Sequence, residues 1–219
     1  MALAIFDLDN TLLNGDSDYL WGQFLAQQGH VDADSYEKEN QRFYDEYVAG
    51  TLDIFEFLEF SLKPLSQMDM GQLKQLHNQF MEQCIRPIIT QKSRTLIQQH
   101  AEQNDTLLII TATNLFITAP IAEELRIPNI LATEPEIIND QYTGKVSGMP
   151  CFREGKVDRL KIWLNKTGDN LADSYFYSDS HNDLPLLEMV KKPVAVDPDE
   201  TLKNHAELKG WDIISLKDE

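Results

Sequence analysis

Short apolar runs bounded by polar residues punctuate this chain. The run at residues 2–6 ends at Asp7, that at 107–110 ends at Thr111, and that at 175–177 ends at Ser178 and Asp179. Runs this short predict buried strands rather than helices. Residues 130–132, 194–196 and 213–214 are shorter candidates of the same kind. Between them lie helical patterns at 93–100, 116–125, 157–165 and 184–190. Strands alternating with helices predict an α/β fold, a doubly wound parallel sheet with helices on both faces.

The spacing adds a second element. Thr11 and Thr111 stand 100 residues apart, whereas one strand-helix-strand unit takes about 30. Roughly 70 residues are therefore surplus between the first two strands. They are rich in aromatics and charges at helical spacing: Tyr19, Leu20, Phe24 and Leu25 form one stripe, and Leu73, Leu76 and Phe80 another. The expectation is a helical cap at 15–86, inserted after the first strand of a core made of 1–14 and 87–219. Residues 136–152, with Asn139-Asp140 and a later Gly144, predict a β-hairpin extension.

Charge narrows the function. Asp and Glu number 36 against 19 Lys and Arg, a net charge of -17. Such a chain is repelled by phosphate backbones and anionic membranes, so neither nucleic acid nor membrane is an expected partner. A small anionic ligand requires a local cation to invert the field. Cys84 and Cys151 form no CxxC pair, which argues against a disulfide framework or a structural zinc and for reduced thiols in the cytoplasm. The first residues lack the basic start and apolar run of a signal peptide. The uncharged stretch 106–122 is short for a membrane span and holds four threonines, Asn114 and Pro120.

In open parallel sheets, ligands bind beyond the carboxyl ends of the strands. Asp7, Asp9, Thr111, Asp179 and Asp183 all follow such ends. Converging carboxylates repel one another and raise their own pKa values. A divalent cation removes that conflict, and oxygen-only ligands favour Mg²⁺. Each residue also has a plainer reading, as a turn or helix-cap aspartate, a strand-end hydroxyl or, for Lys156, a solvated surface lysine.

The ordered set is more specific than its parts. Asp7-Leu8-Asp9-Asn10-Thr11 resembles the DxDxT signature of haloacid-dehalogenase-like phosphatases, and Ile110-Thr111-Ala112-Thr113 resembles their second motif. Lys156 in Glu154-Gly155-Lys156 fits the third, and Asp179 to Asp183 the fourth. The inserted segment is similar to the phosphoserine-phosphatase-like branch. The resemblance implies that Asp7 is the nucleophile that becomes an aspartyl phosphate. Asp9 is then general acid and base, while Thr111, Lys156 and Asn182 hold the phosphoryl group. Asp179, Asp7 and the backbone carbonyl of Asp9 are implied to hold Mg²⁺, and Asp183 to support that metal or Lys156.

The expected substrate is a small phosphorylated metabolite. In the branch that the chain resembles, an acidic residue soon after DxDxT holds the substrate ammonium and a cap arginine holds its carboxylate. Asp16 stands at the acidic position, but residues 55–62 contain no arginine, and Ser61 or a neighbour stands where one is expected. Arg42, on another predicted helix, is the alternative cation. A substrate with positive groups and no carboxylate fits better, and L-histidinol phosphate has an amine and an imidazole. Asp16 and Asp18 are candidates to pair with them, and Trp21, Phe24 or Tyr44 to stack on the ring. Asp16 and Ser17 also read as a cap for the first inserted helix. The Gly15 to Trp21 segment resembles bacterial members of this branch assigned as histidinol-phosphatases. Phosphoserine hydrolysis and phosphotransfer to an alcohol remain alternatives. A regulatory Mg²⁺- or Ca²⁺-binding module without catalysis is disfavoured by the presence of Asp7, Asp9 and Lys156.

Overall fold

The computed structural model describes residues 2–218. Its central sheet has the order β3-β2-β1-β6-β7-β8, with every pair parallel. The strands are β1 (Leu3–Phe6), β2 (Thr106–Asn114), β3 (Asn129–Thr133), β6 (Tyr175–Ser178), β7 (Lys192–Val196) and β8 (Asp212–Ile214). All six expected strands are present. Leu3, Ala4, Ile5 and Phe6 are all buried, because a central parallel strand is covered on both faces and so reads as an unbroken apolar run. From β1 the chain adds β2 and β3 on one side and β6, β7 and β8 on the other. The order thus reverses at β1. The crevice beyond the carboxyl ends of β1, β2 and β6 is the natural ligand site of such a sheet.

Four helices precede the first crossover helix: α1 (Ser17–Gln27), α2 (Ala33–Val48), α3 (Ile54–Ser66) and α4 (Met70–Phe80). A π-helical turn (Met81–Ile85) and a 3₁₀ turn (Arg86–Ile88) lead to α5 (Gln91–Glu102). Asp16, Asp32, Asp53 and Asp69 cap the four inserted helices, each accepting a backbone N–H from the first turn. Four of the chain's 36 acidic residues thus satisfy helix ends, where orphan donors and the helix dipole favour them.

The insertion shares its apolar core with the sheet. Trp21, Phe24 and Phe80 are buried, and Trp21 packs edge-on against Phe116 of α6 (Leu115–Glu124). Trp21 and Phe24, expected as ring-stacking candidates, are therefore core residues. Tyr19 and Leu20 of the same stripe are only half-buried.

The hairpin comprises β4 (Pro135–Ile138) and β5 (Gln141–Val146), paired antiparallel. Asn139 and Asp140 turn it with φ of 52° and 57°, the left-handed pair of a tight hairpin turn. It ends at Val146 rather than near residue 152. β5 packs on α3. The remaining core helices are α7 (Glu154–Thr167), α8 (Leu184–Leu187) and α9 (Glu200–Lys209). α8 is shorter than the expected 184–190, because the chain must already turn into β7 at Lys192. Among the described residues, both cysteines are free thiols and no helix is long and apolar enough to cross a membrane.

Candidate active site

The loop after β1 brings its polar residues to the crevice because its leucines anchor it from below. Leu8, Leu12 and Leu13 are essentially fully buried. The Leu8 carbonyl accepts from the N–H groups of Leu12 and Leu13 at 2.9 and 3.0 Å. Asn10 takes φ 56°, and its N–H reaches the Gly15 carbonyl at 2.9 Å. Asp7, just past the strand, is tied to β6 through its N–H and the Tyr177 carbonyl at 2.9 Å. The Thr11 hydroxyl lies 3.2 Å from Asp7 Oδ2 and 3.1 Å from Asp179 Oδ1. It also accepts the Asp179 N–H at 3.1 Å. One hydroxyl thus joins the first and fourth motifs.

Lys156 enters from α7 and is 3% exposed. Its Nζ donates to Asp7 Oδ1 at 2.7 Å and to Asp183 Oδ2 at 2.8 Å. Asp183 Oδ2 also accepts the Ser178 hydroxyl at 2.7 Å. The sequence step before Lys156 is sterically required: a Cβ on Gly155 would stand 2.2 Å from the Pro150 carbonyl oxygen. Two carboxylates facing one buried ammonium push the Lys156 pKa up despite burial, which acts the other way. Burial raises Asp7 to about 7, partly opposed by Lys156. Burial, then the neighbouring Asp7 and Asp183, push Asp179 well up.

The other carboxylates line the same pocket. Asp9 accepts the Ser17 N–H on Oδ1 at 2.6 Å and the Thr113 hydroxyl on Oδ2 at 2.7 Å. Burial raises it to about 6, with Asp16 adding to the shift. Asp16 caps α1 through Oδ1, which accepts the Tyr19 N–H at 2.9 Å, and it also lines the pocket. The cap and pocket readings of Asp16 therefore coexist. Asp18 accepts the Asn114 side-chain amide at 3.3 Å, and burial followed by the charges of Asp16 and Asp9 raise its pKa well up. Thr111 is buried, and its Oγ1 accepts the Thr113 N–H at 3.2 Å. That contact leaves the Thr111 hydroxyl hydrogen free to donate.

One pocket thus holds a buried carboxylate, a buried cation beside it and a second carboxylate two residues on. The family model for haloacid dehalogenase-like hydrolase matches residues 4–188. The chain belongs to the haloacid dehalogenase-like hydrolase family. It is 46% identical over 219 residues to a Neisseria meningitidis serogroup C protein named histidinol-phosphatase, covering 98% of this chain and 99% of that one. A solved structure from Bordetella pertussis Tohama I, a protein of unknown function, is 41% identical, with TM-score 0.93 over 99% of both chains. The phospho-aspartyl intermediate analogue of a phosphoserine phosphatase shares the fold at 18% identity, with TM-score 0.73, over 100% of this chain and 94% of that one.

Within this member of the hydrolase family, two fourth-motif residues, Asn182 and Asp183, are held by defined partners. Asn182 is not among the residues that line the pocket. Its Oδ1 accepts from Arg153 Nε at 3.0 Å, and its Nδ2 donates to the Tyr47 carbonyl at 3.1 Å. Arg153 also donates to the Gly50 carbonyl. Asn182 and Arg153 thus join the core to the turn after α2, and no local pattern in the sequence announces such a contact. For Asp183, the observed partners are Lys156 and Ser178. Both donors fall on Asp183 Oδ2, which thereby holds Lys156 in place. Among the described residues, no three acidic, histidine or cysteine side chains form a ready-made metal cage.

The pocket, about 650 Å³ with its mouth included, is roofed by Phe43, Tyr44, Tyr47 and Phe57 from the inserted helices. Of the aromatics considered from sequence for ring stacking, Tyr44 lines it and Trp21 and Phe24 do not; Tyr19, Phe43, Tyr47, Phe57 and Phe152 also line it. Lys156 is the pocket's cationic lining residue. Arg42 does not reach in: its guanidinium is held by Glu39, Glu46 and Glu56 at 2.8 to 2.9 Å. Ser61, at the position where the resemblance places an arginine, is a buried serine of α3.

Proposed function

We propose that this chain is a Mg²⁺-dependent phosphomonoesterase working through an aspartyl phosphate on Asp7. We infer that its substrate is a small amino-bearing phosphate ester without a carboxylate, with L-histidinol phosphate the best fit. The observation that carries this reading is the pocket's charge. Asp16 and Asp18 line it under an aromatic roof, and its lining cation, Lys156, is already shared by Asp7 and Asp183. A leaving group with a carboxylate finds no free cation there, whereas an amine or imidazole finds two carboxylates and ring faces. The name of the Neisseria relative supports the same substrate.

The residues have distinct parts. Asp7 attacks phosphorus, and Lys156 holds it in place and offsets charge on the phosphoryl oxygens. The free hydroxyl hydrogen of Thr111 serves one of those oxygens. Asp9 protonates the leaving oxygen, then takes the proton of the hydrolytic water. Asp7 Oδ2 and Asp179 Oδ1, joined through Thr11, offer the oxygen-only donors that Mg²⁺ accepts, and it needs only one or two carboxylates beside waters and phosphate. Burial, with the charges of neighbouring carboxylates, pushes both aspartates up, a setting that favours a divalent cation. A bound Mg²⁺ suppresses repulsion between the anionic ester and anionic Asp7. Residues 15–86 act as the cap that selects the leaving group and excludes water. The two free thiols fit a cytoplasmic enzyme. The test is phosphate release from L-histidinol phosphate. Release that requires Mg²⁺, stops with EDTA and is lost in Asp7→Asn supports the reading; release that persists in Asp7→Asn refutes it.

A further inference from the structure

Thr113 is absent from the roles assigned above, yet it makes the closest side-chain contact to Asp9. It lies near the end of β2, two residues beyond Thr111, and is 8% exposed. Residues two apart in a strand share a face, so both threonines turn toward the crevice. The Thr113 hydroxyl donates to Asp9 Oδ2 at 2.7 Å. The other oxygen, Oδ1, accepts the Ser17 N–H at 2.6 Å. These two partners differ in kind. A backbone N–H can only donate, so Oδ1 is held as an acceptor and disfavoured as a proton carrier. A hydroxyl both donates and accepts, and it rotates to suit its partner. Oδ2 is therefore the atom of Asp9 that can carry and release a proton without losing its neighbour.

We propose that Thr113 is a positioning residue that assigns proton delivery to Asp9 Oδ2. The inference rests on the phosphatase reading above. As an Asp7 carboxylate oxygen bonds to phosphorus, the ester P–O bond breaks and its electron pair goes to the leaving oxygen. That oxygen takes the proton from Asp9 Oδ2. Asp9 is left as a carboxylate, and the Thr113 hydroxyl donates to the oxygen that has just become negative. Donors already in place where charge develops lower the barrier without reorganisation. Sequence gave no hint of this contact, because the two residues stand 104 positions apart.

The experiment compares kcat/KM for two esters in wild type, Thr113→Val and Thr113→Ser. L-Histidinol phosphate releases an alkoxide that needs the proton, whereas p-nitrophenyl phosphate releases a phenolate that does not. The ratio kcat/KM reports on steps up to departure of the leaving group, so hydrolysis of the phosphoenzyme, common to both esters, does not mask the effect. Thr113→Val keeps the shape and removes the hydroxyl. It is expected to lose about 10-fold or more on the alkyl ester relative to the aryl ester, a modest part of a general acid's usual contribution. Thr113→Ser is expected to restore the wild-type ratio. Equal losses on both esters, or a Ser variant with the same altered ratio as Val, overturn the proposal while leaving the phosphatase reading intact. A folded wild type that hydrolyses neither ester with Mg²⁺ overturns both. If Thr113→Val does not fold, Thr113→Ala is judged by the same ratio.

Discussion

Asp16 offers the sharpest separation of binding from folding, because one carboxylate does two jobs. Its Oδ1 caps α1 through the Tyr19 N–H at 2.9 Å, a contact worth about 1 kcal/mol. Its charge lies in the pocket, where burial raises its pKa and, among the described residues, no side-chain cation neutralises it. Asp16→Asn keeps the cap, since asparagine caps as well as aspartate, and removes only the charge. A hydrogen bond to a charged group contributes about 1.5–3 kcal/mol, equivalent to about 10- to 150-fold in affinity. The expected result is therefore a loss of that size in kcat/KM for L-histidinol phosphate, with little change for p-nitrophenyl phosphate. Thermal stability should hold or rise, because a half-buried, unneutralised charge has been removed. Asp16→Ala should show the same loss in discrimination and an additional loss of about 1 kcal/mol in stability. Steady-state kinetics on both esters, with thermal or urea unfolding of each variant, checks all of this. Equal losses on the cationic and the neutral ester in Asp16→Asn would refute a recognition role.

Lys156→Met should abolish phosphate release and destabilise the fold by about 3–5 kcal/mol in urea unfolding, because Asp7 and Asp183 are left facing each other without their shared ammonium; an unchanged midpoint would contradict this. Metal-free stability should fall as pH rises. Asp7 moves from 3.8 to about 7 and Asp9 to about 6 in the folded state. Between about pH 4 and pH 7 the unfolded chain has therefore lost protons that the folded chain keeps. The contribution of these groups is full below pH 4 and gone above pH 7. In EDTA the melting temperature should drop from pH 5 to pH 7.5, and added Mg²⁺ should raise it more at pH 7.5 than at pH 5, since metal and protons compete for the same oxygens. A melting temperature that rises over that interval in EDTA would count against the raised pKa values of Asp7 and Asp9.

The sheet was readable because its strands are fully buried. Residues 2–6 and 107–110 advertise themselves as apolar runs, and the polar residues that end them mark the crevice. Asp7, Asp9, Thr111 and Asp179 were therefore legible from the pattern, whereas Lys156 was singled out only by its resemblance to the family's third motif. Contacts that depend on the third dimension were not. Helical periodicity identified an apolar face in α1 without saying what covers it, so Trp21 and Phe24 were candidates for the pocket although they pack near Phe80 and Phe116. Phe43 and Tyr47 lie among the charged residues of α2 and carried no signal. The Asn182 side chain was expected at phosphate because of its motif, but a hydrogen bond to a carbonyl 135 residues away sets its place. Arg42 could only be weighed as a possible carboxylate partner until its three glutamates were seen around it.

The most direct test is a side-by-side measurement of kcat/KM for L-histidinol phosphate and O-phospho-L-serine at saturating Mg²⁺. The pocket offers an amine two carboxylates but, among the described residues, offers a carboxylate no free cation. A buried group left unpaired costs about 1–3 kcal/mol and more when charged. The expected preference for L-histidinol phosphate is accordingly about 100-fold or greater. Equal turnover, or a preference for O-phospho-L-serine, would mean that a cation reaches the substrate carboxylate after all, and would contradict the assignment of a carboxylate-free substrate.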